Sequence, residues 1–148
     1  MKRIIFITGA TSGIGKACAE RFAANGDKLI INGRRKERLE MLKEELEREY
    51  NTEVWCAPFD VQSRQQVFKN INLLAENWKE IDVLVNSAGL ALGKDYFDEA
   101  EITDWETMVH TNILGVLYVS RAVLPFMIKR KRGHIINIGS VAGNEMYE

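Results

Sequence analysis

The stretch RIIFITGATSGIG, residues 3–15, decides the fold of this chain. Its first part, residues 3–8, is apolar and β-branched, which is typical of a buried strand. Glycines then follow at Gly9, Gly13 and Gly15, and residues 14–25 have the pattern of a helix that ends at Gly26. A strand, a glycine-rich turn and a helix in direct succession begin a strand–helix–strand unit.

The same alternation continues to the end of the chain. It predicts further strands over residues 28–32, 53–59, 82–86 and 133–139, and helices over 36–50, 63–78 and from Thr103 to about Arg130. We expect Ser63 to cap the third helix, a capping box from Thr103 to Glu106 to open the last one, and Pro125 to kink it.

Near-continuous apolar strands that alternate with helices predict one α/β domain over residues 1–148, with a doubly wound parallel sheet. The commonest strand order for such a sheet is 3-2-1-4-5. Ligands of these sheets bind where the strand order reverses, at the carboxyl ends of strands one and four. That rule points to residues 8–15 and 86–89.

Composition excludes several other classes. The 148 residues are 46% apolar and 28% charged, as in an ordinary soluble domain. The net charge of −1 lacks the basic excess of a nucleic-acid or membrane-surface binder. Cys18 and Cys56 are far apart, so we expect no metal site and a cytoplasmic location. The longest apolar stretch, residues 113–128, is interrupted by polar residues and is shorter than the ~20 residues of a membrane span.

The glycine-rich turn has the features of an anion site. Gly9 permits the tight turn, Gly13 permits close approach of a phosphate, and Gly15 permits the helix to pack near the sheet. Free N–H groups and the positive end of the helix dipole then face the anion. The predicted binding set is Gly9, Ala10, Thr11, Ser12, Gly13, Ile14 and Gly15, with hydroxyl donors from Thr11 and Ser12. The alternative is a tight turn without a ligand.

The end of the second strand indicates which anion binds. A carboxylate about twenty residues after the turn would bind the ribose of NAD, whereas an arginine accommodates the extra phosphate of NADP. Here the residues are Asn32, Gly33, Arg34 and Arg35, with no acid among them. Because guanidinium groups bind phosphate through paired charge-assisted hydrogen bonds, the sequence predicts NADP. The alternative is that both arginines merely begin a charged helix face.

These motifs, with Asp60-Val61, Asn86-Ser87-Ala88-Gly89 and Ser140 at the end of the fifth strand, resemble those of the short-chain dehydrogenases/reductases along essentially the whole chain. The resemblance implies a Rossmann fold and hydride transfer between NADP and an alcohol or carbonyl. It implies that Asp60 and Val61 flank the adenine, and that Asn86, Ala88 and Gly89 line the cofactor.

The resemblance also implies an active site. Asn112 would lie at a helix irregularity and organise the site, and Ser140 would bind the substrate oxygen. Each role has a structural alternative: a turn for Asp60, sheet stabilisation for Asn86, a buried amide for Asn112 and a strand end for Ser140. His110 and His134 lack a recognisable serine or carboxylate partner, so a Ser/His/Asp hydrolase is poorly supported.

Five stretches are similar to the NADP-dependent 3-hydroxy acid dehydrogenases, which include serine and allo-threonine dehydrogenases. They are residues 33–35, 88–93, 104–108, 121–125 and 133–140. This similarity implies oxidation of a 3-hydroxy acid at its β-carbon. Residues on the cofactor side dominate these stretches, so they constrain the substrate only loosely.

The chain departs from the family at its proton-transfer pair. The family has a Tyr-x-x-x-Lys pair after the serine, in which the lysine charge lowers the pKa of the tyrosine. Tyr147 is the only tyrosine after Ser140, it is too close to it, and Glu148 is the last residue. We therefore expect the reading frame to continue with such a pair, and we expect the fifth strand and one sheet face to be uncovered without it.

Two further expectations concern partners and alternatives. The last long helix carries apolar residues on more than one face, as expected of a homo-oligomer (dimer or tetramer); the alternative is that later segments cover them. A non-catalytic NADP-binding sensor or scaffold is the second functional hypothesis. A flavodoxin- or receiver-like domain fits less well, because neither predicts the arginine pair together with residues 86–89.

Overall fold

The computed structural model describes residues 2–93 and 95–141. Strands and helices alternate as predicted. The strands are β1 Ile4–Ile7, β2 Lys28–Gly33, β3 Val54–Pro58, β4 Ile81–Asn86 and β5 His134–Asn137. The helices are α1 Gly13–Ala24, α2 Lys36–Tyr50, α3 Arg64–Asn72, α4 Ile102–Val109 and α5 Val116–Arg130, with a 3₁₀ turn Glu76–Trp78 and a π-helical segment His110–Gly115.

The five strands form one parallel sheet in the order β3-β2-β1-β4-β5. This confirms the predicted α/β fold and its switch point between β1 and β4. Strand β5 lies at one edge of the described sheet, as expected, and its central residues Ile135 and Ile136 are only half-buried.

Strands β1, β2 and β4 are buried on both faces because helices cover each side, so the expectation of an uncovered sheet face holds only at β5. Phe6 belongs to a core cluster on the face covered by α3 and α5, and Ile5 and Ile7 belong to a second cluster on the face covered by α1 and α2. Every residue of β1 is buried, so this strand holds the turn that follows it in a fixed position.

The third helix is shorter than predicted. It ends at Asn72, and the segment up to residue 78 contains the 3₁₀ turn instead. Leu74 and Trp78 both join the core cluster, four positions apart as a helix would place them, so the apolar period does not reveal the break. The predicted cap is confirmed, because the Ser63 hydroxyl accepts a hydrogen bond from the Gln66 N–H at 3.3 Å.

The predicted capping box is wrong. Helix α4 begins at Ile102 with Glu101 at the N-cap, and no side chain caps it. Thr103 therefore lies inside the first turn, where its carbonyl accepts a hydrogen bond from the Thr107 hydroxyl at 2.7 Å. Pro125 lies within α5, which continues to Arg130, so the proline does not end the helix, and its predicted kink stays a prediction. A π-helical segment lies further upstream.

The helical run Ile102–Arg130 is longer than the apolar stretch visible in the sequence. By length and composition alone it meets the criterion for a membrane span, with a third of its most apolar window buried in the protein. Val119, Val123 and Met127 pack into the core cluster against the sheet. The central helix of an ordinary α/β domain meets the same criterion, so the run does not indicate a membrane protein by itself.

Candidate functional site

A cleft of about 340 Å³ opens at the carboxyl ends of the strands, where the switch point predicts a ligand site. It is formed mainly by the segments that follow β1, β2, β3 and β4, and Thr111 and Ile138 also line it. The lining residues predicted from sequence are Gly9, Thr11, Ser12, Gly13, Ile14, Gly15, Arg34, Arg35, Asp60, Val61, Ala88 and Gly89. The structure therefore brings together most of the predicted cofactor-binding residues.

Two glycines in the turn after β1 permit contacts that a side chain would block. Gly9 has a φ of +65°, and a Cβ there would lie 2.8 Å from the Ala88 Cα. A Cβ on Gly15 would overlap the Gly9 carbonyl oxygen and lie 2.8 Å from its carbon. The turn is therefore folded onto itself and onto the segment that follows β4.

Hydrogen bonds fix this turn to its neighbours. The Thr8 hydroxyl oxygen accepts from the N–H groups of Ser87 and Ala88, both at 3.1 Å. The Ala10 N–H donates to the Asn32 carbonyl at 2.9 Å. Ala10 is completely buried and lies outside the cleft lining, so its predicted contact with a cofactor is not supported by this position.

The first residues of α1 line the cleft, and within the described part of the chain no side chain caps their N–H groups. Ser12 is the N-cap residue, but its side chain makes no cap hydrogen bond. The first N–H groups of a helix have no partner within the helix, and the helix dipole makes this end positive. Gly13 has a φ of +53°, and a Cβ there would meet nothing within 4 Å, so its surface faces open space. This cradle fits a phosphate.

Arg34 and Arg35 lie beside the cradle and line the same cleft. Both are exposed, and neither side chain forms a hydrogen bond or ion pair within the described part of the chain. The end of β2 lies close to the turn after β1 because residue 33 is a glycine. A Cβ on Gly33 would lie only 2.9 Å from the Thr11 Cγ2. Two cations without an acidic partner therefore stand next to a cradle suited to an anion.

Asp60 serves as a turn residue and also borders the cleft. Its Oδ1 accepts from the Gln62 N–H at 3.0 Å, which is the turn role given as its structural alternative. Its own N–H donates to the Gln66 Oε1 at 3.1 Å. Both Asp60 and Val61 line the cleft, so the turn and the predicted adenine-flanking role are compatible.

Asn86 is directed into the sheet and not into the cleft. It is 3% exposed, and its amide donates to the Ser120 hydroxyl at 3.0 Å and to the Asn137 Oδ1 at 2.9 Å. Its carbonyl accepts from the Ile138 N–H at 3.0 Å. These bonds support the alternative, in which Asn86 joins β4, β5 and α5, while the cofactor contact stays a prediction.

Asn112 lies in the π-helical segment, so the predicted helix irregularity is present. It is exposed and not buried as its structural alternative required. Its amide donates to the Leu90 carbonyl at 2.7 Å, and its Oδ1 accepts from the Leu90 N–H at 3.0 Å. Asn112 therefore clamps the backbone just beyond Gly89. Asn112 itself lies outside the cleft lining, and its predicted role in organising the active site stays a prediction.

Ser140 is exposed and lies three residues beyond the end of β5, outside the cleft lining. Ile138, two residues earlier, does line the cleft. Tyr147 lies outside the described residues. His110 Nδ1 lies 2.8 Å from the Glu106 carbonyl oxygen, in keeping with the structural role expected for it.

Two residues that lie in the cleft and contact one another have no role predicted from the sequence. The Gln62 amide donates to the Thr111 hydroxyl at 2.7 Å, across 49 positions of sequence. Their positions were the available signal: Gln62 directly follows Asp60-Val61, and Thr111 directly precedes Asn112. Among the described residues, no cluster of His, Cys, Asp and Glu has the arrangement of a metal site.

The comparison with protein families decides the classification. A family model described as short chain dehydrogenase matches residues 3–148. The chain belongs to the short-chain dehydrogenase family. The resemblance drawn from the glycine turn, residues 86–89 and Ser140 is thereby confirmed.

Individual short-chain dehydrogenases are similar along almost the whole chain. A protein of Salmonella typhi named NADP-dependent 3-hydroxy acid dehydrogenase YdfG is 50% identical over 144 residues, which are 97% of this chain and 56% of that protein. A serine 3-dehydrogenase of Rhizobium radiobacter is 44% identical over 147 residues, which are 99% of this chain and 57% of that protein. The chain thus spans little more than half the length of these relatives.

Solved structures of short-chain dehydrogenases have the same fold as this chain. The crystal structure of serine dehydrogenase from Escherichia coli superposes with a TM-score of 0.91 at 46% identity, covering 97% of this chain and 65% of that one. The closed form of serine dehydrogenase complexed with NADP⁺ has the same TM-score of 0.91 and identity of 46%, and covers 97% of this chain and 56% of that one. The predicted Rossmann-type fold is therefore confirmed.

Proposed function

We propose that the protein is an NADP-dependent oxidoreductase that transfers a hydride between the nicotinamide and an alcohol or carbonyl substrate. The observation that carries this proposal is the pair of unpartnered cations, Arg34 and Arg35, beside the glycine cradle in one cleft. A turn that served folding alone would not need two uncompensated charges at this place. The names of the relatives support the same cofactor.

The residues fit NADP on features of this structure. The open surface at Gly13 and the free N–H groups of α1 would hold the pyrophosphate, and the two guanidinium groups would hold the 2′-phosphate. Asp60 and Val61 would flank the adenine, and Ala88 and Gly89 would border the rest of the cofactor. When bound, NADP supplies the acceptor or donor of the hydride.

On the substrate side, we assign two residues. Ser140 would hydrogen-bond the substrate oxygen, and Asn112 would hold the segment after Gly89 through its clamp on Leu90. The substrate class we propose is a 3-hydroxy acid such as serine or allo-threonine. Support comes from the names of the relatives at 44–50% identity. One of them, a sulfoacetaldehyde reductase of Chromohalobacter salexigens at 45% identity, makes a small carbonyl compound the alternative substrate class.

The cofactor assignment is tested by reversing one charge. Arg34→Asp removes a cation from the cleft and supplies a carboxylate that suits a ribose hydroxyl. Because a hydrogen bond to a charged group contributes about 1.5–3 kcal/mol, NADPH affinity should fall by about ten- to a hundredfold. Affinity for NADH should rise. Arg38→Asp is the matched control, since Arg38 makes the same charge change on α2 outside the cleft lining.

Fluorescence titration of the protein expressed from its complete reading frame measures both affinities. The assignment is wrong if Arg34→Asp leaves them unchanged. Catalysis is tested separately by following NADPH absorbance with a panel of 3-hydroxy acids and small aldehydes. Turnover supports the oxidoreductase, whereas tight NADPH binding without turnover across the panel favours a non-catalytic NADP-binding module.

We also propose a homo-oligomer in the cytoplasm. The support is one exposed apolar stripe along α4, the π-helical segment and α5, made of Val109, Ile113, Leu117, Leu124 and Ile128. Such a contiguous stripe is typical of a surface that another subunit covers. Sedimentation velocity should give a dimer or larger, and Leu117→Arg should shift it toward monomer. A monomeric parent protein would contradict the proposal.

A further inference from the structure

The segment that follows β3 is joined directly to the π-helical segment. The Gln62 amide donates to the Thr111 hydroxyl at 2.7 Å, and Thr111 is only 6% exposed. A hydrogen bond in such a shielded place is not readily replaced by water. It fixes the distance between the predicted adenine end of the cleft and the helix that carries Asn112.

A second contact joins the same two segments. A Cβ on Gly115 would lie 3.0 Å from the Val61 Cγ2 and 3.2 Å from its Cβ, so the helix backbone approaches this side chain closely. Val61 is itself 6% exposed. Thr111 and Gly115 lie near the two ends of the π-helical segment, and Asn112 lies between them.

These two contacts hold the π-helical segment. π-helical geometry is rare and frequently lies at functional sites. The supporting segment is itself ordered, since the Asp60 carboxylate accepts the Gln62 N–H. Asp60, Val61, Gln62 and Thr111 all line the cleft, so a ligand at this end touches both members of the contact.

We infer that Gln62 is a positioning residue, which through Thr111 couples occupancy of the adenine end of the cleft to the π-helical segment and thus to the Asn112 clamp. The inference rests on the proposed function only in taking this end of the cleft as the adenine site. A nucleotide at Asp60 and Val61 restrains their segment. The hydrogen bond and the Val61 contact then restrain the helix, and Asn112 holds Leu90 more firmly.

The test uses a ligand that fills only one end of the cleft. The fragment 2′,5′-ADP carries the adenine and the 2′-phosphate and lacks the nicotinamide. Hydrogen exchange of the amides in His110–Gly115 is measured with and without it, on the protein from its complete reading frame. In the parent, the fragment should slow this exchange by about fivefold, the effect of one net hydrogen bond.

The variants separate coupling from general stability. Thr111→Val keeps the size of the side chain but removes the hydroxyl, so the fragment should bind without slowing the exchange. Thr111→Ser keeps the hydroxyl and should restore the slower exchange. Gln62→Ala removes the donor of the same hydrogen bond and should abolish the slowing. Asn70→Ala is the control on α3, where the lost bond goes only to the Gln66 carbonyl, and it should behave as the parent.

Turnover with NADPH gives a second measurement. Gln62→Ala and Thr111→Val should each lower kcat by about fivefold, and the double variant should lose no more than either one, because both remove the same bond. The inference is overturned if the fragment binds and the exchange is unchanged in the parent, or slowed equally in Thr111→Val. If the fragment does not bind the parent at all, the NADP proposal itself fails, and this inference fails with it.

Discussion

Replacing Gly9 by alanine tests whether the turn after β1 exists to let two backbone segments touch. Two separate costs are expected. A φ of +65° places the alanine in the left-handed region, which costs about 1–2 kcal/mol. The new Cβ would also lie 2.8 Å from the Ala88 Cα and 2.9 Å from its N, and both are backbone atoms that cannot rotate away. Overpacking of this kind costs about 1–3 kcal/mol more, so Gly9→Ala should lose about 2–5 kcal/mol in all.

Gly26→Ala provides the matched control. Gly26 has a φ of +78°, but a Cβ there would meet nothing within 4 Å. Only the conformational cost of about 1–2 kcal/mol applies to it. The difference between the two variants therefore isolates the collision with Ala88. Urea unfolding without nucleotide, followed by far-ultraviolet circular dichroism, measures both free energies.

The interpretation fails if the two variants agree within about 0.5 kcal/mol, the usual error of such comparisons. In that case the contact between Gly9 and the segment after β4 would relax without cost. Gly13→Ala adds an independent check. Its φ of +53° and open surroundings predict a stability loss like that of Gly26→Ala, yet its methyl group would occupy the phosphate cradle, so NADPH affinity should fall sharply.

Three further predictions concern stability and titration. Asn86→Ala leaves the half-buried Ser120 hydroxyl without its donor, so the free energy of unfolding in urea should drop by about 1–3 kcal/mol; a loss below that range would mean that water replaces the amide. Asp82→Asn removes the charge that binds Arg130 at 2.6 Å, where the two side chains are 10% and 24% exposed, and should cost about 1–3 kcal/mol with little dependence on salt. Complete loss of the effect in 1 M salt would instead indicate a screened surface pair. Burial raises the pKa of the Cys56 thiol above its ordinary value of 9.0, so the unfolding free energy should fall as the pH rises above that value. Cys56→Ala should remove that part of the decline, and an unchanged pH profile would contradict the burial effect.

The features that sequence predicts well here are those encoded by neighbouring residues. Runs such as residues 3–8 and 82–86 identify buried strands, and their alternation with helices leads to the strand order that the sheet has. The glycine turn is equally local, because Gly9 and Gly15 are required by contacts of the turn itself and of the segment beside it. Position in an α/β sheet then locates the cleft by a general rule.

The sequence does not reveal contacts between residues that are distant in the chain and meet only in the folded protein. The Gln62–Thr111 bond joins residues 49 positions apart, and neither residue type has a chemical signature that demands the other. The early end of the third helix is missed for the same reason. Leu74 and Trp78 both reach the core although a 3₁₀ turn, and not an α-helix, leads to Trp78. At the start of α4, a capping motif at Thr103 is present in the sequence, but the helix begins at Ile102, two residues before the position that this motif implies.

This division follows the chemistry of the two halves of the cleft. A pyrophosphate is bound by backbone N–H groups, so its site depends on glycine positions within one turn and is visible in the sequence. The proposed substrate side depends instead on side chains held at set distances by partners from other elements, such as Asn112 on Leu90, supported by Gln62 on Thr111. The segment 60–62 belongs to both halves, since it borders the predicted adenine site and supports the π-helical segment. Because Thr111 and Gly115 of the π-helical segment contact Gln62 and Val61, the position of Asn112 beside the cleft depends on residues 60–62 as much as on the helix in which Asn112 lies.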